Sequence, residues 1–122
     1  MATDLKEFQH AGLNCLIRKI ESTRREWLCG YVYVPKGHQL YGAGYGVKCA
    51  ALGGKEPEMV LDVHGGITFS GPLGNDRGSW CFGFNTTHFD DDTRGFNKDE
   101  AYVEAQTREL ADQLAAVAAS PN

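Results

Sequence analysis

No apolar run in this sequence approaches the roughly 18 residues that a membrane-spanning helix needs. The first ten residues also lack the apolar stretch of a signal peptide, so we expect a cytoplasmic protein without a membrane partner. An excess of positive charge is missing too, since the formal net charge is −4. Binding to duplex nucleic acid needs a positive surface, and the sequence therefore argues against that class of partner.

Paired cysteines and the common catalytic motifs are also missing. The four cysteines (Cys15, Cys29, Cys49 and Cys81) contain no C-x-x-C pair, which excludes the usual zinc-ribbon and thioredoxin spacings. We interpret them as mostly buried free thiols in a reducing cell. Nucleophile-elbow, zincin, Walker and dinucleotide fingerprints are absent as well. We therefore predict neither a cofactor nor an assembled catalytic centre.

The sequence does contain the pattern of one folded domain over residues 1–122. Hydrophobic residues make up 42% of the chain, which is typical of globular proteins. Apolar, β-branched and aromatic runs predict strands that are separated by turn residues. Five strands are predicted, the first two and the next two as hairpins: residues 12–20, 27–34, 58–64, 67–70 and 79–88. The prediction is an α+β fold with an antiparallel sheet of about five to six strands over roughly residues 11–96.

Two further segments complete this prediction. A glycine-rich loop over about residues 36–57 is unusually long for a compact domain, and such loops are often functional. Residues 97–119 predict an amphipathic helix, in which Val103, Leu110 and Leu114 belong to one apolar stripe. The alanines near the end of this helix would allow close approach of a second subunit.

One enzymatic interpretation concerns two pairs of acid and histidine residues. Asp62 and His64 are two residues apart in one predicted strand, and His88 and Asp90 are two apart near the end of another. Together they could form a hydrolytic metal site. The alternative is that each histidine is hydrogen-bonded at a polar strand end, which we favour because such spacing is common in strands.

A binding interpretation needs aromatic rings and guanidinium groups. Trp80, Phe82 and Phe84 share one face of a predicted strand, and Arg108 lies in the predicted helix. Bases stack on such rings, at about 1–3 kcal/mol per base. The same three rings could equally form the core, and strand alternation alone does not decide between the two. The Arg24–Arg25 pair at a predicted turn adds local positive charge, with a solvated turn as the default interpretation.

Three segments of the chain resemble one family. They are GYVYVPKGH at 30–38, VHGGITFS at 63–70 and WCFGFN at 80–85. These strings are similar to those of short phage and prophage proteins, the Thoeris anti-defence sponges. The resemblance covers the central two-thirds of the chain.

This resemblance implies a function without chemistry. It implies that a cyclic ADP-ribose isomer is captured uncleaved, with cyclic oligonucleotides as further ligands, by a homo-oligomer such as a hexamer. It also implies that Phe82 and Arg108 hold the adenine. Asn85 and His88 are the expected polar neighbours, and Arg24 and Arg25 are the candidates for a second phosphate site. His64 is the remaining expected ligand-binding residue.

Two rival functions remain open at this point. One is a small metal-dependent nucleotide hydrolase that uses Asp62, His64, His88 and Asp90. The other is an inhibitor that docks directly on a host protein through its aromatic-rich loops.

Overall fold

The computed structural model of the chain describes residues 2–23, 26–44, 46–63, 66–72, 79–86 and 100–119. Its strands and helices follow one another in this order: β1 (Ala2–His10), β2 (Leu13–Glu21), β3 (Glu26–Pro35), a 3₁₀ turn (Ala50–Leu52), α1 (Pro57–Val60), β4 (Phe69–Gly71), β5 (Ser79–Asn85) and α2 (Glu100–Ala119).

In the described part of the chain, five strands form one antiparallel sheet in the order β1-β2-β3-β5-β4. The α+β prediction and the predicted β2–β3 hairpin are confirmed. In the register, Cys15 faces Val32, and Val32 faces Phe82 on its other side. Because side chains alternate between the faces of a strand, these three residues lie on the same face of the sheet.

Helix α2 packs on that face and closes the core. The predicted apolar stripe is confirmed, since Val103, Leu110 and Leu114 have no exposed surface. Gly30 allows the helix to approach β3 closely, because a Cβ atom there would lie 2.2 Å from Thr107 Oγ1. The helix start predicted at residue 97 lies outside the described residues. No helix in the described ranges is long and apolar enough to cross a membrane.

Strand β1 was not predicted. Its residues are mostly polar and exposed, so the strand is held by backbone pairing with β2 rather than by an apolar pattern. The connection is a two-residue turn in which Ala11 has φ 54° and Gly12 has φ 80°. Positive φ at both positions is typical of a type I′ hairpin, for which Asn-Gly is the usual sequence signal. Ala-Gly does not carry that signal.

The predicted hairpin of residues 58–64 with 67–70 is wrong. Residues Pro57–Val60 form a helical turn instead, and Pro57 occupies its first turn, where proline costs no hydrogen bond. Leu61 and Val63 are buried in the main core, so their alternation reflects packing of an irregular segment. The short strand β4 pairs with β5.

The start of the glycine-rich loop packs against the C-terminal half of α2. His38 is buried, and its Nε2 atom donates to the Leu114 carbonyl at 2.8 Å while its Nδ1 atom accepts from Leu40 N–H. The Gln39 amide donates to the Val117 carbonyl at 2.9 Å. These bonds, together with buried Leu40, fix residues 38–40 in the fold's interior, whereas most of the other described loop residues are exposed or half-buried.

Candidate functional site

The structure places Phe82 in the core, under α2, with no exposed surface. A base therefore cannot stack on this ring in the conformation described, which is a correction to its assignment as a ligand contact. Phe84 is also buried, and Trp80 packs partly against the same core while its Nε1–H donates to the Ala43 carbonyl. Of the two interpretations of this aromatic face, the structure supports the core.

Arg108 contacts an aromatic ring, but the ring is that of Phe8. Its guanidinium carbon lies 4.7 Å from the Phe8 centroid. The same group donates to Glu104 Oε2 at 2.6 and 3.0 Å and to His10 Nδ1 at 3.0 Å. Arg108 thus contacts Phe8, Glu104 and His10, and it does not form an adenine pocket with Phe82, whose ring is fully buried.

These contacts belong to a ladder between β1 and α2. Every second residue of β1 contacts every fourth residue of α2, because two residues of a strand and four residues of a helix span similar distances. The three rungs are Lys6 with Glu104 at 2.7 Å, Phe8 with Arg108, and His10 with Asp112 at 2.9 Å. Hydrogen bonds from Lys6 and Arg108 hold the pKa of Glu104 below its ordinary value. The ladder joins the helix-facing side of β1 to α2.

The opposite face of the sheet, which we call the second face, carries its own aromatic cluster. It consists of strand residues, with Leu16, Tyr33 and Cys81 buried and with Tyr31 and Phe69 packed against them. The Tyr31 and Phe69 rings meet edge to face, with their centroids 6.1 Å apart. Gly83 makes room for Tyr31, since a Cβ atom there would lie 2.5 Å from the ring.

Arg18 joins this cluster and supplies its guanidinium plane. Its Cζ atom lies 5.8 Å from the Tyr31 centroid, and its Nε–H donates to Asp4 at 2.7 Å. That hydrogen bond raises the pKa of Arg18 above its ordinary value. Burial raises the pKa of Tyr31, and the neighbouring Cys29 raises it further, so Tyr31 stays neutral at physiological pH. The second face therefore holds an aromatic ring and a fixed cation side by side.

A groove of about 450 Å³ lies on the second face, next to this pair. Arg18 and Tyr31 are not among its lining residues, but Asp4, which accepts from Arg18, and Leu16, which faces Tyr31, are. This volume is within the range of small-molecule sites, which is about 300–1,000 Å³. Strand register puts most of the lining side chains on that face. The lining residues come from β1, β2 and β3: Asp4, Glu7, Phe8, Gln9, Asn14, Cys15, Leu16 and Tyr33.

The thiols near these features are poor nucleophiles. Burial raises the pKa of Cys15 to about 11 and also raises the pKa of Cys29. Because the thiolate is the reactive form, both groups are almost wholly protonated at neutral pH.

The remaining predicted site residues are only partly placed. Asn85 lies on the second face, where its amide donates to Thr68 Oγ1 at 3.3 Å. Asp62 is exposed, and its backbone N–H and carbonyl are bonded by the side chain of Gln113. Outside the described residues lie five of the predicted positions: Arg24, Arg25, His64, His88 and Asp90.

Sequence reasoning missed the groove because it missed β1. Asp4, Glu7 and Gln9 form one wall of the groove, and their polar character was itself the reason that no strand was predicted there. Arg18 alone carried a usable signal, since a basic residue inside an apolar strand points to a partner. Its i, i+13 relation to Tyr31 becomes visible only with the register, in which Leu16 faces Tyr31.

The comparisons with known proteins identify no relative. No family model, no curated protein and no solved structure matches the chain. Among the described residues, no group of three or more His, Cys, Asp or Glu side chains is placed to hold a metal ion. Three of the four residues of the predicted hydrolytic metal site lie outside that part of the chain.

Proposed function

We propose that this protein binds a cyclic nucleotide signal and sequesters it without cleaving it. The ligand would be a cyclic ADP-ribose isomer or a cyclic oligonucleotide, captured in the bacterial cytoplasm during phage infection. The observation that carries this proposal is the pair of Arg18 and Tyr31 beside the groove on the second face. Rings and guanidinium groups are general binding elements for bases, and Arg18 also offers charge to a phosphate.

The rigidity of the second face favours binding. Arg18 is held by Asp4, and Tyr31 is held by Phe69 and by its close fit over Gly83. Groups fixed before the ligand arrives lose little entropy when it binds, which increases affinity. High affinity is what a sequestering protein needs, since it lowers the free concentration of a signal by mass action.

The thiol chemistry also favours binding over covalent catalysis. Cys15 borders the groove, but the strand register puts its side chain on the helix face with Val32, and its pKa of about 11 leaves almost no thiolate at neutral pH. This thiol is therefore turned towards the core and unreactive at neutral pH.

The proposal includes a homo-oligomer such as a hexamer. The alanines suggested for a subunit contact are not equivalent in the structure, because Ala111 is buried in the protein's own core whereas Ala116 is exposed. A contact on α2 would therefore use its outer surface, on the side of Ala116. Light scattering coupled to size exclusion measures the mass, and a monomer at all concentrations would contradict this part of the proposal.

One experiment separates sequestration from hydrolysis. The protein is mixed with a cyclic ADP-ribose isomer at a known ratio, filtered, and then heat-denatured to release what it bound. We expect the filtrate to lose ligand in proportion to the protein and the denatured sample to return it intact, as measured by mass spectrometry. Progressive loss of the ligand beyond one equivalent would instead establish turnover and favour the metal-dependent hydrolase.

A matched pair of charge-neutralising variants tests the site. Arg18→Gln removes the cation beside Tyr31, whereas Lys36→Gln removes an exposed cation in the turn after β3. Arg18→Gln should weaken capture at least tenfold, because charge-assisted hydrogen bonds are worth about 1.5–3 kcal/mol. Lys36→Gln should bind as the unmodified protein does. Equal binding by both variants would remove the second face from the proposal.

A further inference from the structure

The groove on the second face is acidic, although it would serve a phosphate-bearing ligand. Its eight lining residues include the carboxylates of Asp4 and Glu7 but no lysine, arginine or histidine. Asp4 is paired with Arg18, whereas Glu7 is exposed and takes part in no ion pair among the described residues. The groove interior therefore has a net negative charge at neutral pH, and its positive charge lies at the border, on Arg18.

The side-chain amides of Gln9 and Asn14 add further hydrogen-bonding groups to the groove. The Gln9 Nε2 atom donates to Asn14 Oδ1 at 2.9 Å across the β1–β2 pair. This bond uses one donor of Gln9 and one lone pair of Asn14. It leaves Gln9 Oε1 as an acceptor and Asn14 Nδ2 as a donor for a bound molecule. A ligand fragment that matches the groove must offer hydrogen-bond donors to the carboxylates and at least one acceptor to an amide.

Phosphate does not match this description, because it carries negative charge and offers acceptors only. Like charges at close range repel, and the repulsion is greater where water is partly excluded. An amino-substituted heteroaromatic base does match, since its exocyclic amino group donates and its ring nitrogens accept. Leu16 and Tyr33 line the same groove, but both are buried, so the polar side chains of β1 and β2 carry the recognition.

We propose that the groove recognises the amino-bearing base of the nucleotide through Glu7 and the Gln9–Asn14 amide pair, and that the phosphates lie outside the groove, on the side of Arg18. This inference rests on the proposed function, and it identifies which part of the ligand determines specificity. Glu7 is then the residue that selects for the amino group.

The probes for the test are adenosine, adenosine monophosphate and purine riboside, which lacks the exocyclic amino group. Their dissociation constants are measured by calorimetry on the unmodified full-length protein, on Glu7→Gln and on Glu109→Gln. Glu109 is an exposed glutamate of α2, on the opposite side of the sheet, so its replacement changes the net charge equally. Cyclic ADP-ribose is titrated in parallel as the test of the proposed function.

We expect adenosine to bind, purine riboside to bind about tenfold more weakly, and the added phosphate to improve affinity only modestly. Glu7→Gln should weaken adenosine binding about tenfold, as expected for the loss of a charged hydrogen-bond acceptor. Glu109→Gln should have no effect. A stability measurement on both variants, which are exposed substitutions, verifies that each is folded.

An increase in affinity caused by Glu7→Gln would contradict the inference. If Glu7→Gln tightens the binding of cyclic ADP-ribose or adenosine monophosphate while adenosine itself does not bind, then phosphate occupies the groove. In that case the proposed function survives and the orientation of the ligand is reversed. If cyclic ADP-ribose and the cyclic oligonucleotides all fail to bind the unmodified protein, the proposed function fails, and this inference fails with it.

Discussion

The guanidinium group of Arg108 lies over the ring of Phe8, with 4.7 Å between its carbon atom and the ring centroid. The contact joins the first strand of the sheet to its last helix. Strand β1 lies at an edge of the sheet, where it pairs with β2 alone. Because the same strand forms one wall of the groove, we expect Arg108 to affect the candidate site indirectly, by holding that wall in place.

Replacing Arg108 with alanine should therefore reduce stability. The change removes the contact with Phe8 and the bonds to Glu104 and His10, at a side chain that is partly exposed. Exposed cation–π contacts and surface ion pairs are each worth less than about 1 kcal/mol, so we expect a loss of about 1–2 kcal/mol. Chemical denaturation measures this loss. Arg108→Lys keeps the charge but not the planar guanidinium group, so its stability should lie between those of the unmodified protein and Arg108→Ala.

A different result would support a direct contact between Arg108 and the ligand. If Arg108→Ala unfolds at the same denaturant concentration as the unmodified protein but no longer captures a cyclic nucleotide, the residue contacts the ligand directly. Hydrogen exchange adds a second measurement. In a positioning role, the amides of β1 should lose protection while those of β3 and β5 keep theirs.

The close approach of α2 to β3 predicts a strong effect at Gly30. A Cβ atom at this position would lie 2.2 Å from Thr107 Oγ1 and 2.5 Å from the ring of Phe84. Both neighbours are buried, so neither can move away freely. We expect Gly30→Ala to lower the free energy of unfolding by about 2–3 kcal/mol, which is typical of overpacking.

Gly44→Ala provides the matched control for Gly30→Ala. The nearest atom to its Cβ would be a methyl group of the exposed Val47, at 3.3 Å. Its stability should change by less than about 0.5 kcal/mol, as at ordinary surface positions. Thr107→Ala combined with Gly30→Ala should restore part of the loss, because it removes the closest atom. Equal stability of the two single variants would show that the helix is not seated as described.

Much of this fold could be predicted from the runs and spacing of apolar residues. α2 buries one regular stripe, and β2 and β3 are continuous apolar runs because side chains on both of their faces are buried. Phe82 illustrates the limit of that reasoning. Its alternation placed it correctly on a strand face, but which face receives the helix depends on contacts distant in sequence.

The candidate site was harder to predict, because its parts are distant in sequence and polar. Asp4 and Arg18 pair across two strands, and the groove exists only because β1 adds to the sheet edge. Edge strands are commonly polar and charged, which protects them from association and also hides them from pattern reasoning. The second predicted hairpin failed for the opposite reason, since Leu61 and Val63 alternate without being in a strand.

The hairpin between β1 and β2 predicts a stabilising substitution. Ala11 has φ 54°, a left-handed conformation that costs residues with a Cβ atom roughly 1–2 kcal/mol. Asparagine tolerates this conformation better and precedes Gly12 as the usual type I′ pair. Ala11→Asn should raise the free energy of unfolding by about 0.5–1 kcal/mol in a denaturation experiment. Ala11→Val should lower it, because β-branched residues rarely adopt positive φ. The same sign for both variants would contradict the turn type.

The ladder between β1 and α2 predicts a pH dependence at Glu104. Hydrogen bonds from Lys6 and Arg108 hold its pKa below the ordinary value of 4.5. For an acid whose pKa is lower in the folded state, the stabilising contribution is fully present above the unfolded value and is lost as the pH falls through the folded value.

Glu104→Gln removes the charge at every pH while keeping the shape. The difference in unfolding free energy between the two proteins should therefore be constant near neutral pH and shrink as the solution is acidified below 4.5. Because the carboxylate lies at the surface, the difference should also shrink at high salt. A difference that stays constant through this acidic range would show that Glu104 stabilises β1 by packing alone, and the ladder would then owe its strength to Phe8 rather than to charge.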